Sequence, residues 1–197
     1  MIYEQQRDRG LYWEERVVEW MKANGWAVSW ASRAGSRIEV ADRSPIVSPD
    51  LQCYSEDRII WLEVKSSTMT PELYKWEWRG KLGTGIERHY WLDYCDAAEE
   101  TRLDTYIIFV HEDRRRARLD AVESLAEYSL GHVPGKDKRG NDKVWQYFPF
   151  EEIPIACDVE DIKAARAGTL PAVLLPTDSA RFDHVFGKPA TECHVPF

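Results

Sequence analysis

Residues 49–67, PDLQCYSEDRIIWLEVKSS, place Asp50 ahead of one short alternating run and Glu63 and Lys65 inside a second, with the polar SEDR between them. A turn centred between Glu56 and Asp57 folds the two runs into a hairpin in which Tyr54 faces Ile59, Gln52 faces Trp61 and Asp50 faces Glu63. Like charges directly opposed weaken a sheet, by about 0.2 to 1 kcal/mol at an exposed position and by more when buried. A divalent cation reverses that sign, because carboxylate oxygens are the ligands that Mg²⁺ takes. Side chains alternate along a strand, so Glu63 and Lys65 share a face and the ammonium stands beside the same site. Val64 points the other way, into the core, and its backbone carbonyl is a further oxygen ligand. The bland alternative is a surface ion pair on an edge strand, but IIWLEVK is too apolar for an edge.

A long helix expected over residues 4–24 supplies a third carboxylate. With Trp13 set at zero and about 100° per residue, Val17, Trp20 and Met21 fall within roughly 80° of it and Val18 near 140°. Glu14 lands near 100°, inside this apolar arc, while Glu15 and Glu19 fall near 200° and 240° on the solvent side. A carboxylate aimed at the core needs a partner or a metal, and Glu14 either takes a place at the hairpin site, snorkels to solvent or pairs with an arginine.

The remaining elements follow in order. Asn24-Gly25 suits a left-handed helix cap, WAVSWAS (26–32) alternates as a strand, and Gly35 to Pro45 is a loop. Residues 70–85 read as a Trp-, Lys- and Gly-rich loop with a helical turn, 86–102 as a second long helix and DTYIIFVH (104–111) as a buried strand. LDAVESLAEYSL (119–130) reads as a third helix, KVWQYFPF (143–150) as a last strand, and DVEDIKAARAG as a further helix before a Pro-rich tail. The fold class expected is α/β or α+β, a central mixed sheet flanked by helices with C-terminal additions. One domain spans 1–150, and 151–197 is an extension packed on it.

The chain has 197 residues, 44% of them hydrophobic, which suits one globular domain. Its net charge of −8 argues against nucleic-acid binding by bulk positive charge, but a phosphate backbone is held by a local patch. Two basic clusters exist, RRRAR (114–118) and GKDKRGNDK (135–143), each of which also suits a solvated surface. Cys53, Cys95, Cys157 and Cys193 form no C-x-x-C pair, so neither a zinc site nor a disulfide framework is indicated. No run is long and apolar enough for a membrane span and the N-terminus lacks a secretory pattern, so a cytoplasmic protein is expected.

With Glu14, Asp50, Glu63 and Lys65 in order, the chain resembles the PD-(D/E)XK, or restriction-endonuclease-like, nuclease superfamily. Residues 10–66 are most similar to archaeal-type Holliday-junction resolvases: GLYWEERVVEWMKANGWAV looks like that family's first helix, and PD (49–50) with EVKS (63–66) matches its signature. The resemblance implies a DNA endonuclease in which Glu14, Asp50, Glu63 and the Val64 carbonyl carry Mg²⁺, with Mn²⁺ able to substitute. Such an ion makes a water nucleophilic at neutral pH and supplies counter-charge to the phosphorus centre. Lys65 would orient the water or stabilise the developing negative charge. Members often add a polar residue on the second long helix, where GIERHYWLDY offers Arg88 or His89, with His89 favoured.

Sequence 35–49 is longer than in compact resolvases, and YKWEWRGKLGTG (74–85) lies outside the match. That insertion combines Trp76 and Trp78 with Lys75, Arg79 and Lys81, a mixture able to stack on bases and hold phosphates. Arg33 and Arg37 are further candidate phosphate contacts. The expected partner is DNA, with no membrane. The resemblance favours a two-fold homodimer for a resolvase or restriction enzyme, whereas a nicking enzyme needs no partner. The alternatives are a restriction-like or phage-encoded duplex or single-strand nuclease, and a non-catalytic nucleic-acid-binding module of the same fold.

Overall fold

The computed structural model describes residues 2–31, 37–40, 44–56, 58–67, 72–73, 81–136 and 141–166; of residues 2–6, 72, 73, 81 and 136 the backbone alone is described. The helices are α1 (Ile2–Ala23), α2 (Arg88–Thr101), α3 (Val122–Glu127) and α4 (Val159–Ala164). The strands are β1 (Ala27–Trp30), β2 (Arg37–Ile38), β3 (Ile46–Val47), β4 (Leu51–Tyr54), β5 (Ile59–Ser67) and β6 (Glu72–Leu73). They continue with β7 (Lys81–Glu87), β8 (Asp104–His111), β9 (Arg116–Ala121), β10 (His132–Lys136), β11 (Asp142–Pro149) and β12 (Ile155–Asp158).

Six strands form the central sheet in the order β1-β4-β5-β8-β9-β12. Only β5 and β8 run parallel; the neighbouring pairs are antiparallel, so the sheet is mixed. A smaller antiparallel sheet, β10-β11-β7-β6, and the β2-β3 pair complete the strands.

The parity of β5 decides what each face meets. Ile60, Leu62 and Val64 join Trp13, Val17 and Met21 of α1 in one core cluster, together with Ile108 and Val110 of β8. The opposite face of β8, Ile107 and Phe109, packs with Trp91 and Tyr94 of α2 and with Phe148 of β11. Both faces of β5 and β8 are covered, which is why neither sequence alternates cleanly.

α1 ends as its sequence implies. Gly25 has φ +87°, the Gly25 N–H donates to the Lys22 carbonyl (3.0 Å), and the Trp26 N–H donates to that of Met21 (3.1 Å), the paired bonds of a left-handed helix cap. A Cβ at Gly25 meets nothing within 4 Å, so only backbone conformation opposes it. Gly25→Ala is therefore expected to lower stability by about 1 to 2 kcal/mol. A urea unfolding curve indistinguishable from the parent's would contradict this.

Three expectations are corrected. Residues 119–130 are not one helix: Arg116–Ala121 is strand β9, and α3 begins only at Val122. Ala117 and Leu119 face the α1 cluster at a spacing of two, a period visible only when counting starts at Arg116. Residues 81–85 are not loop, nor 86–87 helix: all belong to strand β7, paired with β11 from Gly83↔Pro149 to Glu87↔Trp145. The second helix accordingly starts at Arg88 rather than 86.

The 150/151 boundary does not separate units. β12 closes the central sheet beside β9, and Ala156, Cys157, Val159 and Ile162 belong to the same cluster as α1. Residues 167–197 lie outside the described residues.

Candidate active site

The ladder joining β4 to β5 runs Tyr54↔Ile59, Cys53↔Ile60, Gln52↔Trp61 and Leu51↔Leu62, the register counted from the sequence. It stops at Leu51, while β5 continues alongside β8 as far as Ser67↔His111. Beyond Leu62 the β4 side of β5 is thus taken over by Asp50. Its backbone N–H donates to Glu63 Oε2 (3.1 Å), and its Oδ2 accepts the Val64 N–H (3.0 Å). Since the N–H and C=O of one strand residue point the same way, the Val64 carbonyl is also turned to the Asp50 side.

Glu63 Oε1 looks toward α2. It accepts a hydrogen bond from the Tyr94 hydroxyl (2.6 Å) and an ion-paired one from Lys65 Nζ, and Nζ also donates to the Tyr94 oxygen (3.0 Å). Nζ lies 5.5 Å from the Tyr90 ring centre and 5.3 Å from that of Tyr94. Glu63 is only 2% exposed. Burial, and next the Asp50 carboxylate, push its pKa up to about 7, against the pull of Lys65 and Tyr94. For Lys65 burial favours the neutral amine, but the carboxylate of Glu63, with Tyr94 and Asp50, holds its pKa well above the usual value. Burial and Glu63 raise the Tyr94 phenol as well, so it stays protonated and donates.

These groups suit a hard divalent cation. The donors are carboxylate and carbonyl oxygens, and burial first and the Asp50 carboxylate second raise the Glu63 pKa. Mg²⁺ commonly takes one or two protein carboxylates and keeps water for the rest, which fits Asp50, Glu63 and the Val64 carbonyl.

The other candidates are placed as follows. Glu14 lies half-buried on α1, the helix that covers the Val64 face, and among the described residues no three His, Cys, Asp or Glu side chains are gathered to ligate one ion. The hydrogen bonds of the hairpin group join Asp50, Glu63, Val64 and Lys65. His89 is on the first turn of α2 with its side chain 56% exposed and Nδ1 3.6 Å from Glu87. The side chains of α2 that reach Lys65 are Tyr90 and Tyr94, four residues apart on one face, and His89 is rotated about 100° from Tyr90. Arg37 is exposed on β2, close enough to α2 for its charge to act on Asp93. Arg33, Lys75, Trp76, Trp78 and Arg79 fall outside the described residues, and Lys81 is described only as the first backbone position of β7.

Tyr94 is the site residue that sequence reasoning missed. It sits in the buried stripe Trp91, Tyr94, Ala97. A phenol inside such a stripe needs a polar partner.

The RRRAR cluster is not one basic patch. Arg114 pairs with Asp113 (3.4 Å), Arg116 pairs with Asp158, and Arg118 is buried. The Arg118 guanidinium lies over the Phe150 ring (4.3 Å), donates to the Ile153 carbonyl and pairs with Glu151 (2.9 Å). In the second cluster Lys143 pairs with Glu87 (2.7 Å).

No protein-family model matches the chain, and no curated protein matches it. Among solved structures it is similar to Hjc, a Holliday junction resolvase from the archaeal hyperthermophile Archaeoglobus fulgidus, with a TM-score of 0.44 and 15% identity over 78% of this chain and 94% of that one. It is also similar to a nuclease from a fusselovirus, with a TM-score of 0.40 and 11% identity over 85% of this chain and 94% of that one. At this identity and superposition neither likeness carries a residue role or an activity to this chain.

Proposed function

We propose that this chain is a Mg²⁺-dependent endonuclease that hydrolyses phosphodiester bonds in DNA. The observation that carries the reading is Asp50 held beside Glu63 at the end of the β4–β5 ladder, its N–H donating to Glu63 Oε2 and its Oδ2 accepting the Val64 N–H, with the Lys65 ammonium on the same Glu63 carboxylate. Asp50, Glu63 and the Val64 carbonyl would hold the ion, with Glu14 as the further ligand the family resemblance suggests. When bound, Mg²⁺ supplies a water of lowered pKa and counter-charge for the phosphoryl oxygens. Lys65 stays protonated at neutral pH and sets a fixed positive charge beside those oxygens, stabilising charge as it develops. Because residues 10–66 resemble archaeal-type resolvases in sequence, a four-way junction is the first substrate to try, a restriction-like duplex activity the next.

Purified protein with Mg²⁺ or Mn²⁺ should cut a panel of four-way junction, flap and plain duplex DNA at equal concentration. EDTA and Asp50→Asn should each stop the cutting. No cleavage of any linear, supercoiled, single-stranded or branched DNA sinks the nuclease reading, and tight metal-independent binding without turnover replaces it with a binding module. Equal cutting of all three panel members removes the junction preference alone.

A further inference from the structure

Tyr94, Lys65 and Glu63 form a closed set of three bonds. Lys65 Nζ donates to Glu63 Oε1 and to the Tyr94 oxygen, while the Tyr94 hydroxyl donates to the same Glu63 Oε1. The count balances: an ammonium has three N–H bonds and two are used, and a phenol gives one bond and takes one. The other oxygen of Glu63, Oε2, accepts the Asp50 N–H (3.1 Å) and so lies on the side of Asp50 and the Val64 carbonyl. One carboxylate therefore divides its oxygens between two tasks. The terminal torsion of a glutamate is broad and the lysine stem is flexible, so the Glu63–Lys65 pair alone leaves this division loose. Tyr94 tightens it from a rigid base, a ring 2% exposed in the packed core of α2.

We propose, building on the nuclease reading, that Tyr94 is a positioning residue whose hydroxyl fixes Glu63 Oε1 and Lys65 as a unit and so presents Oε2 to the ion. It touches neither ion nor DNA in this role. Groups that orient a metal ligand commonly account for about 10- to 100-fold in metal affinity or activity.

Tyr94→Phe removes the hydroxyl and leaves the ring, so packing against Trp91 and Phe109 is retained. Ca²⁺ binding by calorimetry in the absence of DNA should weaken by about 10- to 100-fold. In single-turnover cleavage the rate should fall by a similar factor while half-saturation by DNA is unchanged. A Tyr94 that merely fills space gives a Phe variant with parental Ca²⁺ affinity and rate, and that result overturns the proposal while leaving the nuclease reading intact. Parent protein that neither binds Ca²⁺ nor cuts DNA overturns both. Thermal melts of the two proteins agreeing within a few degrees, together with the weakened Ca²⁺ affinity, support the positioning role over a loss of fold.

Discussion

Lys65→Met is expected to slow single-turnover cleavage at pH 8 by about 10²- to 10³-fold, the loss typical when one fixed donor to a developing oxyanion is removed. Two effects add. The ammonium that stabilises the phosphoryl oxygens is gone, and Glu63 loses the positive charge that holds down its pKa, already about 7 in the presence of Lys65. With Met at 65, more of Glu63 carries a proton at pH 8, and a cation must displace it to bind. The two effects separate in Lys65→Arg. A guanidinium restores positive charge beside Glu63, but its planar fork does not fit the geometry in which a compact ammonium bridges Glu63 Oε1 and the Tyr94 oxygen. The pH at which Ca²⁺ binding sets in should therefore return to the parent's in Lys65→Arg, and the cleavage rate should not. A Met variant cutting within threefold of the parent excludes Lys65 from the chemistry.

The parts of the site legible in sequence share one property: they are fixed by local geometry. Asp50 and Glu63 were placed opposite each other by a short polar turn and the twofold period of strands, and the observed β4–β5 register is the one that counting gives. The apolar arc of α1 was equally local, with Trp13, Val17, Val18, Trp20 and Met21 all buried. What was not legible depends on contacts between distant segments. KLGTGIE reads as loop because two glycines interrupt it, yet it is strand β7 because β11, far along the chain, pairs with it. Gly85 even suits that pairing, since a Cβ there would come within 2.9 Å of the Tyr147 ring.

The same limit explains His89 and Tyr94. A helix after β5 buries one stripe, but which residue of that stripe meets Glu63 is decided by the crossover that lays α2 on the Ile107 and Phe109 face of β8. His89 lies on the solvent-facing part of the helix, whereas the hydroxyl that bonds Glu63 comes from the buried stripe. RRRAR is divided in a similar way: strand parity turns Arg118 to the face opposite Ala117 and Leu119, where Phe150 and Glu151 receive it.

Two buried groups give the fold opposing pH dependences that single variants separate. Glu63 rises from an ordinary 4.5 to about 7 through burial first and Asp50 second. Between those values the folded state keeps a proton that the unfolded state has released, so stability falls as pH rises, by about 3 kcal/mol in total. His111, 1% exposed, bonded to Thr84 Oγ1 at 3.0 Å and packed edge-on against Phe150, is shifted the other way, from 6.5 to about 4, by burial. Between those values the unfolded state binds the proton that the folded state refuses, so stability rises with pH, by a similar amount of about 3 kcal/mol. Over pH 4.5 to 6.5 the two slopes oppose each other. Glu63→Gln leaves the His111 slope, and its stability relative to the parent should climb with pH through this window. His111→Gln leaves the Glu63 slope, and its stability relative to the parent should decline. Urea unfolding in EDTA at pH 4.5, 5.5 and 6.5 measures both differences, and variant curves parallel to the parent's would remove the assignment. Adding Ca²⁺ above pH 7 should then stabilise the parent, rising with the logarithm of Ca²⁺ concentration once the site is saturated, and Glu63→Gln far less.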